Sequence, residues 1–149
     1  MEEVVIHKMG KEDLDKVIEL GMKTKEIQTG TAIDRFFSKE TLERWTRNKN
    51  GVTLIAMIGN KEVGFLLGDY LSGLNYGYLD VIIIDENYRG RGIGNKLLEH
   101  ALKEFKKKGD GWCRNVFSII KPSNEISLKL FEKHGFKIGE IFKYAEAEI

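Results

Sequence analysis

Residues 81–98 read VIIIDENYRGRGIGNKLL, and this stretch decides how the rest of the chain is interpreted. It begins with four consecutive apolar residues, which predict the end of a strand that lies centrally in a sheet covered on both sides. From Ile93 to Phe105, apolar residues recur at helical spacing, which predicts a long amphipathic helix. Between them, three alternate glycines accompany two arginines, which is more than a turn between strand and helix needs.

The glycine-rich loop, residues 88–95, leads directly into the predicted helix. The first turn of a helix presents free backbone N–H groups and the positive end of the helix dipole, which suits a phosphate. Glycine lets the backbone approach an anion closely, while Arg89 and Arg91 add charge and hydrogen-bond donors. We therefore predict that this loop binds the phosphate of a ligand.

Two common phosphate-binding patterns fit this loop poorly. A Walker loop needs Gly-Lys-Ser/Thr, which Gly94-Asn95-Lys96-Leu97 does not supply. The dinucleotide fingerprint needs a third glycine at the position of Asn95 and a βαβ unit that opens a parallel sheet, whereas hairpins precede this loop. A nucleotide-binding domain that uses the glycine-rich loop in another way is a rival interpretation.

Outward from the loop, the hydropathy pattern predicts strands and helices in mixed order. Before the loop we predict strand, helix, helix and three strands at Val4–Lys8, Lys11–Met22, Ser38–Asn48, Val52–Ile58, Val63–Tyr70 and Tyr76–Ile84. After the long helix we predict strand, helix and strand at Asn115–Ile120, 122–135 and Phe136–Tyr144. The expected fold is α+β (mixed α/β) in one domain over residues 1–149, with Ile126, Leu130 and Phe131 turned inward from the last helix.

The composition narrows the classes of function. Among 149 residues, 24 Lys and Arg face 23 Asp and Glu, and a net charge of +1 argues against a nucleic-acid binder. No apolar run approaches the roughly 20 residues of a membrane span, so we expect no membrane partner. The single cysteine, Cys113, excludes an intramolecular disulfide, and the three histidines lack metal-ligand spacing, so we expect no metal. A reducing, cytoplasmic setting is the default expectation.

Two motifs carry a family resemblance. The pattern R-x-x-G-x-G at residues 89–94, after an apolar strand, resembles the acyl-CoA pyrophosphate loop of the GNAT superfamily of N-acetyltransferases. The pattern N-x-x-S-x-x-L-F-x-x-x-G-F at residues 124–136 resembles the helix-plus-strand motif of the same family. The predicted order of elements also resembles the family over nearly the whole chain, most weakly over residues 24–50.

This resemblance implies a mixed, mostly antiparallel central sheet flanked by helices and splayed at the acyl-CoA site, with acetyl-CoA as co-substrate. By resemblance, Ile82, Ile83 and Ile84 would line the pantetheine arm, and Phe131 would pack near it. The pyrophosphate would be held by Arg89, Gly90, Arg91, Gly92, Ile93, Gly94 and Asn95. The side chain of Asn124 would hydrogen-bond the cofactor.

The residues that the family uses for proton transfer do not all recur in this sequence. The family usually has a tyrosine as general acid at the position of Phe131, and a phenyl ring cannot protonate a thiolate. Water or another residue would then do so, and the candidate side chains are Tyr78, Tyr144 and Tyr70. For the general base we favour Asp80 by resemblance, on the same side of its strand as Ile82 and Ile84 by alternation; a structural role for Asp80 and a base role for Asp69 stay open.

The resemblance implies an N-acetyltransferase in which a primary amine, on a small molecule or a peptide, attacks the thioester directly. A backbone N–H of residues 82–84 would stabilise the oxyanion. The acceptor would lie between residues 27–37 and Lys143-Tyr144, where Asp34 either contacts a cationic amine or is merely solvated. A non-catalytic acyl-CoA-binding sensor is the alternative, and a homodimer stays open.

Overall fold

A computed structural model describes residues 2–32 and 36–149 of the chain. Within these residues it contains one sheet of five strands, in the spatial order β1-β2-β3-β4-β5. The strands are β1 (Val4–Lys8), β2 (Gly51–Ile58), β3 (Lys61–Leu71), β4 (Tyr76–Ile84) and β5 (Asn115–Ser118). Neighbouring strands are antiparallel except β4 and β5, which are parallel. The predicted α+β fold with a mixed, mostly antiparallel sheet is confirmed.

Four helices flank the sheet in the described part of the chain: α1 (Leu14–Lys23), α2 (Lys39–Arg47), α3 (Ile93–Gly111) and α4 (Glu125–Lys133). The predicted cap of α2 is present, because the Thr41 N–H donates to Ser38 Oγ at 3.2 Å. The first helix begins later than predicted, since residues 11–13 form a 3-10 turn. The α-helical backbone of α3 breaks at Lys108, and Gly109 follows with a φ of +59°, so the chain turns where the sequence predicts the end of the helix.

The two faces of the sheet carry different cores. One face packs against α3 and α4, where Ile93, Leu97, Leu98, Phe105 and Phe131 are buried. The opposite face packs against α1 and α2, where Leu14, Val17, Leu42, Phe65, Val81 and Ile83 are buried. The continuous apolar run at the end of β4 is thus explained by helices on both faces, as its pattern indicates.

A bulge in β4 and the short length of β5 open the sheet at one place. Val81 lies opposite Leu67 and Leu79 lies opposite Gly68, which leaves Asp80 as the extra residue of the bulge. On the other side of β4, pairing with β5 ends at Leu79 and Ser118. From Asp80 onward, β4 therefore has no strand beside it on its β5 side within the described residues. The sheet splays at this point, as predicted.

The prediction of a final strand over Phe136–Tyr144 is wrong. This segment has no regular secondary structure and pairs with no strand among the described residues, and residues 137–149 are all exposed. Its apolar residues Phe136, Ile138, Phe142 and Tyr144 do alternate, but alternation alone forms no strand, because a strand also needs a neighbouring backbone to pair with. The prediction that Ile126 turns into the core is also wrong, since its side chain is 77% exposed.

The close approach of β4 to α3 makes Gly77 sensitive to substitution. A Cβ atom at this position would lie 2.6 Å from the ring of Phe105, which is itself buried. We expect Gly77→Ala to lower the free energy of unfolding by about 1–3 kcal/mol, because the packed ring must shift. Urea denaturation measures this effect, with Gly73→Ala as the control, since a Cβ there meets nothing within 4 Å. Equal stability of the two variants would contradict the expectation.

Candidate active site

A cleft of about 490 Å³ lies where the splayed end of β4 meets the glycine-rich loop and α4. Its lining comprises Thr24, Glu26, Ile82, Ile83, Ile84, Tyr88, Arg89, Gly90, Gly92, Ile93, Gly94, Asn95, Asn124, Ile126, Ser127, Lys129, Leu130 and Lys133. The volume falls in the range typical of small-molecule sites. The cleft combines an apolar strand, a helix N-terminus and cationic side chains from the loop and α4, so it suits a long ligand that is apolar at one end and anionic at the other.

The N-terminus of α3 forms the end of this cleft that suits an anion. Gly92 is the residue before the helix, with a φ of +76°, and it has no side chain that could cap the first amides. The first helical hydrogen bond runs from the Lys96 N–H to Gly92 O, at 3.2 Å. The amides of residues 93–95 therefore precede the helical hydrogen-bond pattern and face no capping side chain. Uncapped amides at a helix N-terminus are the feature that binds phosphate.

The two arginines of the loop lie in different places. Arg89 lines the cleft, and its Nε donates to Ile84 O at 3.2 Å, so its position is tied to the end of β4. Within the described residues no hydrogen bond reaches its two Nη groups, which leaves them for an anion. Arg91 lies over the ring of Tyr88, 4.9 Å from its centre, and is not among the lining residues.

Two asparagines that line the cleft also form hydrogen bonds within the protein. The Ser127 N–H donates to Asn124 Oδ1 at 3.2 Å, so Asn124 caps α4. The side chain of Asn95 is hydrogen-bonded to His134 Nε2 at 2.8 Å, which joins the start of α3 to the end of α4. Both asparagines line the cleft, but each also has a structural contact that the sequence motifs do not reveal.

Phe131 lies in the core. It is 2% exposed, and its ring contacts Phe136 edge-on with centroids 4.8 Å apart. It is not among the lining residues, although Ser127, one turn earlier on α4, and its neighbour Leu130 are. The sequence prediction of a cofactor contact at Phe131 therefore has no counterpart in the lining of the cleft.

Asp80 lies at the bulge, just before the lining residues of β4. Its Oδ1 accepts a hydrogen bond from the Tyr78 hydroxyl at 2.9 Å. Burial raises the pKa of Asp80, and the hydrogen bond from Tyr78 opposes this rise. The bulge also breaks the alternation used in the sequence analysis, because Leu79 packs towards α3 while Val81 packs towards α1. The face on which Asp80 lies therefore does not follow from the positions of Ile82 and Ile84.

Asp69, the other candidate base, lies on β3 opposite Tyr78. Its Oδ1 is buried and has no hydrogen-bond partner in the part of the chain that the structure describes. Burial raises the pKa of Asp69, while its own backbone contact with Tyr70 and the charge of Lys108 lower it. Asp69 is thus a second carboxylate near Tyr78, but it lacks the hydroxyl partner that Asp80 has.

Several contacts around the site were not predicted. The Ser118 hydroxyl donates to Leu79 O at 2.7 Å and closes the last paired position before the sheet opens. Ser127, Lys129 and Lys133 of α4 also line the cleft. Lys129 and Lys133 are four residues apart and share a face of the helix, which is a spacing that the sequence could have revealed. Of the predicted acceptor residues, Asp34 lies outside the described residues, and Tyr144 is 49% exposed.

A metal-binding cluster and a membrane-spanning helix are both absent from the described residues. No group of three or more His, Cys, Asp or Glu side chains among them could hold a metal ion. None of the helices in the described part of the chain is long and apolar enough to cross a membrane.

Comparison with known proteins identifies similar chains. YwnH of Bacillus subtilis (strain 168), which carries the name of a phosphinothricin acetyltransferase, is 47% identical over 61 residues, 41% of this chain and 36% of that protein. An uncharacterized N-acetyltransferase of Methanocaldococcus jannaschii is 26% identical over 151 residues, 93% of this chain and 62% of that protein. The chain thus spans less than two thirds of the length of either curated relative.

A solved structure and a family model extend the comparison. The crystal structure of the PaiA N-acetyltransferase from Thermoplasma acidophilum, in complex with coenzyme A, matches with a TM-score of 0.70 at 24% identity. The match covers 94% of this chain and 93% of that one, and it concerns the fold. The family model described as "Acetyltransferase (GNAT) family" matches residues 16–136, which include strands β2 to β5, the glycine-rich loop and α4. The chain therefore belongs to the GNAT acetyltransferase family.

Proposed function

We propose that this chain is an N-acetyltransferase that transfers the acetyl group of acetyl-CoA to a primary amine of a small molecule or peptide. The observation that carries the proposal is one cleft that joins the free edge of β4, at Ile82–Ile84, to the uncapped N-terminus of α3. Membership of an acetyltransferase family supports acetyl-CoA as the co-substrate.

The cleft offers a separate contact for each part of coenzyme A. The backbone of residues 82–84 would pair with the amides of the pantetheine arm, as an added strand pairs with a sheet edge. The amides of residues 93–95 and the Nη groups of Arg89 would hold the pyrophosphate. The Asn124 side-chain nitrogen, which makes no hydrogen bond within the described residues, would contact the cofactor from α4.

The chemistry follows from the position of Asp80 at the point where the sheet opens. The amine nitrogen attacks the thioester carbonyl, and a backbone N–H of residues 82–84 stabilises the oxyanion that forms. Asp80 takes the proton that the nitrogen loses. The C–S bond then breaks, the sulfur leaves with the electron pair as the thiolate of coenzyme A, and water protonates it. A thiolate leaves readily because the pKa of a thiol is about 8.5.

The proposal is tested by incubating the protein with acetyl-CoA and a panel of amines. The panel contains small amino acids, aminoglycosides, polyamines and peptides with free N-termini. We expect release of coenzyme A thiol, together with an acetylated amine of the correct mass, for at least one class. The name of YwnH contains that of a small molecule, phosphinothricin, so small-molecule amines are tested before peptides.

Two outcomes would favour the rival functions. Tight binding of acetyl-CoA by calorimetry, with no acetylated product from any amine class, would favour the non-catalytic sensor. Displacement of coenzyme A by ATP or NAD at similar concentrations would favour a nucleotide-binding domain.

A further inference from the structure

Tyr78 is held in a defined orientation next to the proposed base. Its ring packs on Phe117, with centroids 4.9 Å apart, and its hydroxyl donates to Asp80 Oδ1 at 2.9 Å. Tyr76, two residues earlier, also contacts Phe117, but it is 41% exposed and forms no hydrogen bond with Asp80 among the described residues. The ring stacking therefore limits the positions of the Tyr78 hydroxyl to the neighbourhood of the bulge.

The hydrogen bond stabilises the charged form of Asp80. Burial raises the pKa of this carboxyl group, and donation from Tyr78 lowers it because the donor favours the carboxylate. The pKa of Tyr78 is itself raised, first by burial and then by the charge of Asp80. The phenol consequently keeps its proton throughout the range in which enzymes work, so it can act as a donor at every relevant pH.

We propose that Tyr78 is a positioning residue for catalysis, which holds Asp80 Oδ1 and leaves Oδ2 to take the proton from the acceptor amine. This inference rests on the proposed function, since it needs Asp80 to act as the base. Within the described residues no hydrogen bond reaches Oδ2. The Tyr78 hydroxyl would thus offset part of the rise in the pKa of Asp80 that burial causes.

Other titratable groups lie near the pair on neighbouring segments. Asp69 lies opposite Tyr78 on β3, with Lys108 close to Asp69, and Tyr144 of the C-terminal segment affects the pKa of Tyr78. Among the described residues, however, only burial and Tyr78 shift the pKa of Asp80. Removing the Tyr78 hydroxyl should therefore change this pKa in one direction, upwards.

The test is Tyr78→Phe, which keeps the ring on Phe117 and removes only the hydroxyl. We expect the acid limb of kcat/KM to move to higher pH by about one to two pH units, the size expected for loss of a hydrogen bond to a charged group. The KM for acetyl-CoA should stay unchanged. Tyr76→Phe is the matched control, and it should leave the acid limb in place. A limb that does not move in Tyr78→Phe overturns the proposal.

A second measurement does not depend on activity. The carboxyl carbon of Asp80 is titrated by ¹³C NMR in the parent protein and in Tyr78→Phe, with Asp80→Asn used to assign the signal. A higher pKa in Tyr78→Phe supports the inference, and an unchanged pKa overturns it while leaving the proposed function intact. Full kcat in Asp80→Asn would instead overturn Asp80 as the base and, with it, the role of Tyr78 in catalysis.

Discussion

Replacement of Asp80 by asparagine is expected to lower kcat by about 10²–10⁴-fold, the usual contribution of a general base. The amide keeps the shape of the side chain and can still accept the hydrogen bond from Tyr78, but it cannot take a proton from the amine. Steady-state kinetics between pH 5 and pH 9 (roughly the range in which most domains stay folded) give kcat and its pH dependence. Because protonated Asp80 is inactive as a base, the parent enzyme should lose activity as the pH falls through its raised pKa, and Asp80→Asn should lack this limb.

The matched control for this substitution is Asp69→Asn. Asp69 is also a half-buried carboxylate with a raised pKa, so a general effect of removing a buried charge should appear in both variants. We expect near-normal kcat in Asp69→Asn and near-normal affinity for acetyl-CoA in both, measured by calorimetry. Full activity in Asp80→Asn would contradict the assignment and would favour Asp69 or deprotonation of the amine before it binds.

Substitution of Gly92 by valine should weaken binding of coenzyme A by about 10²-fold or more. A Cβ at Gly92 meets no protein atom within 4 Å, so the new side chain would occupy the open space in front of the α3 amides. The phosphate would then lose at least two charge-assisted hydrogen bonds, each of which contributes about 1.5–3 kcal/mol. Isothermal titration calorimetry with coenzyme A measures the loss.

Two further variants separate the loss of coenzyme A binding from backbone strain at a left-handed position. Gly59→Val places valine at another left-handed position, with a φ of +59° and open space around it, in the turn between β2 and β3. It should lose stability to a similar degree yet bind coenzyme A normally. Gly94→Val introduces no left-handed residue and only a 3.3 Å approach to Leu130, and it should also lose binding. Unchanged affinity in folded Gly92→Val and Gly94→Val would exclude the loop as the phosphate site.

Features set by short stretches of sequence were predicted well. The bounds of β1 and β4 agree with the structure, the cap of α2 is Ser38, and α3 begins at Ile93. Alternation, capping and helical periodicity act over a few residues, so they can be recognised without knowing the rest of the fold. The same holds for the glycine-rich loop, whose positive φ angles and position before a helix are local properties.

Only the tertiary structure decided which side chains meet at the opening of the sheet. The bulge at Asp80 depends on the register between β3 and β4, and the splay depends on where β5 stops, so neither follows from the residues of β4 alone. The burial of Phe131 depends on its contact with Phe136, and the hydrogen bond from Tyr78 depends on the bulge.

The C-terminal segment also could not be predicted from its own residues. A strand forms only when a neighbouring backbone is in register, and residues 136–144 have no such neighbour among the described residues. The sequence by itself determined most of the helices and strands and the position of the glycine-rich loop, since these depend on local backbone preferences. The tertiary structure determined the register, the opening of the sheet and the environment of Asp80, since these depend on contacts between residues far apart in the chain.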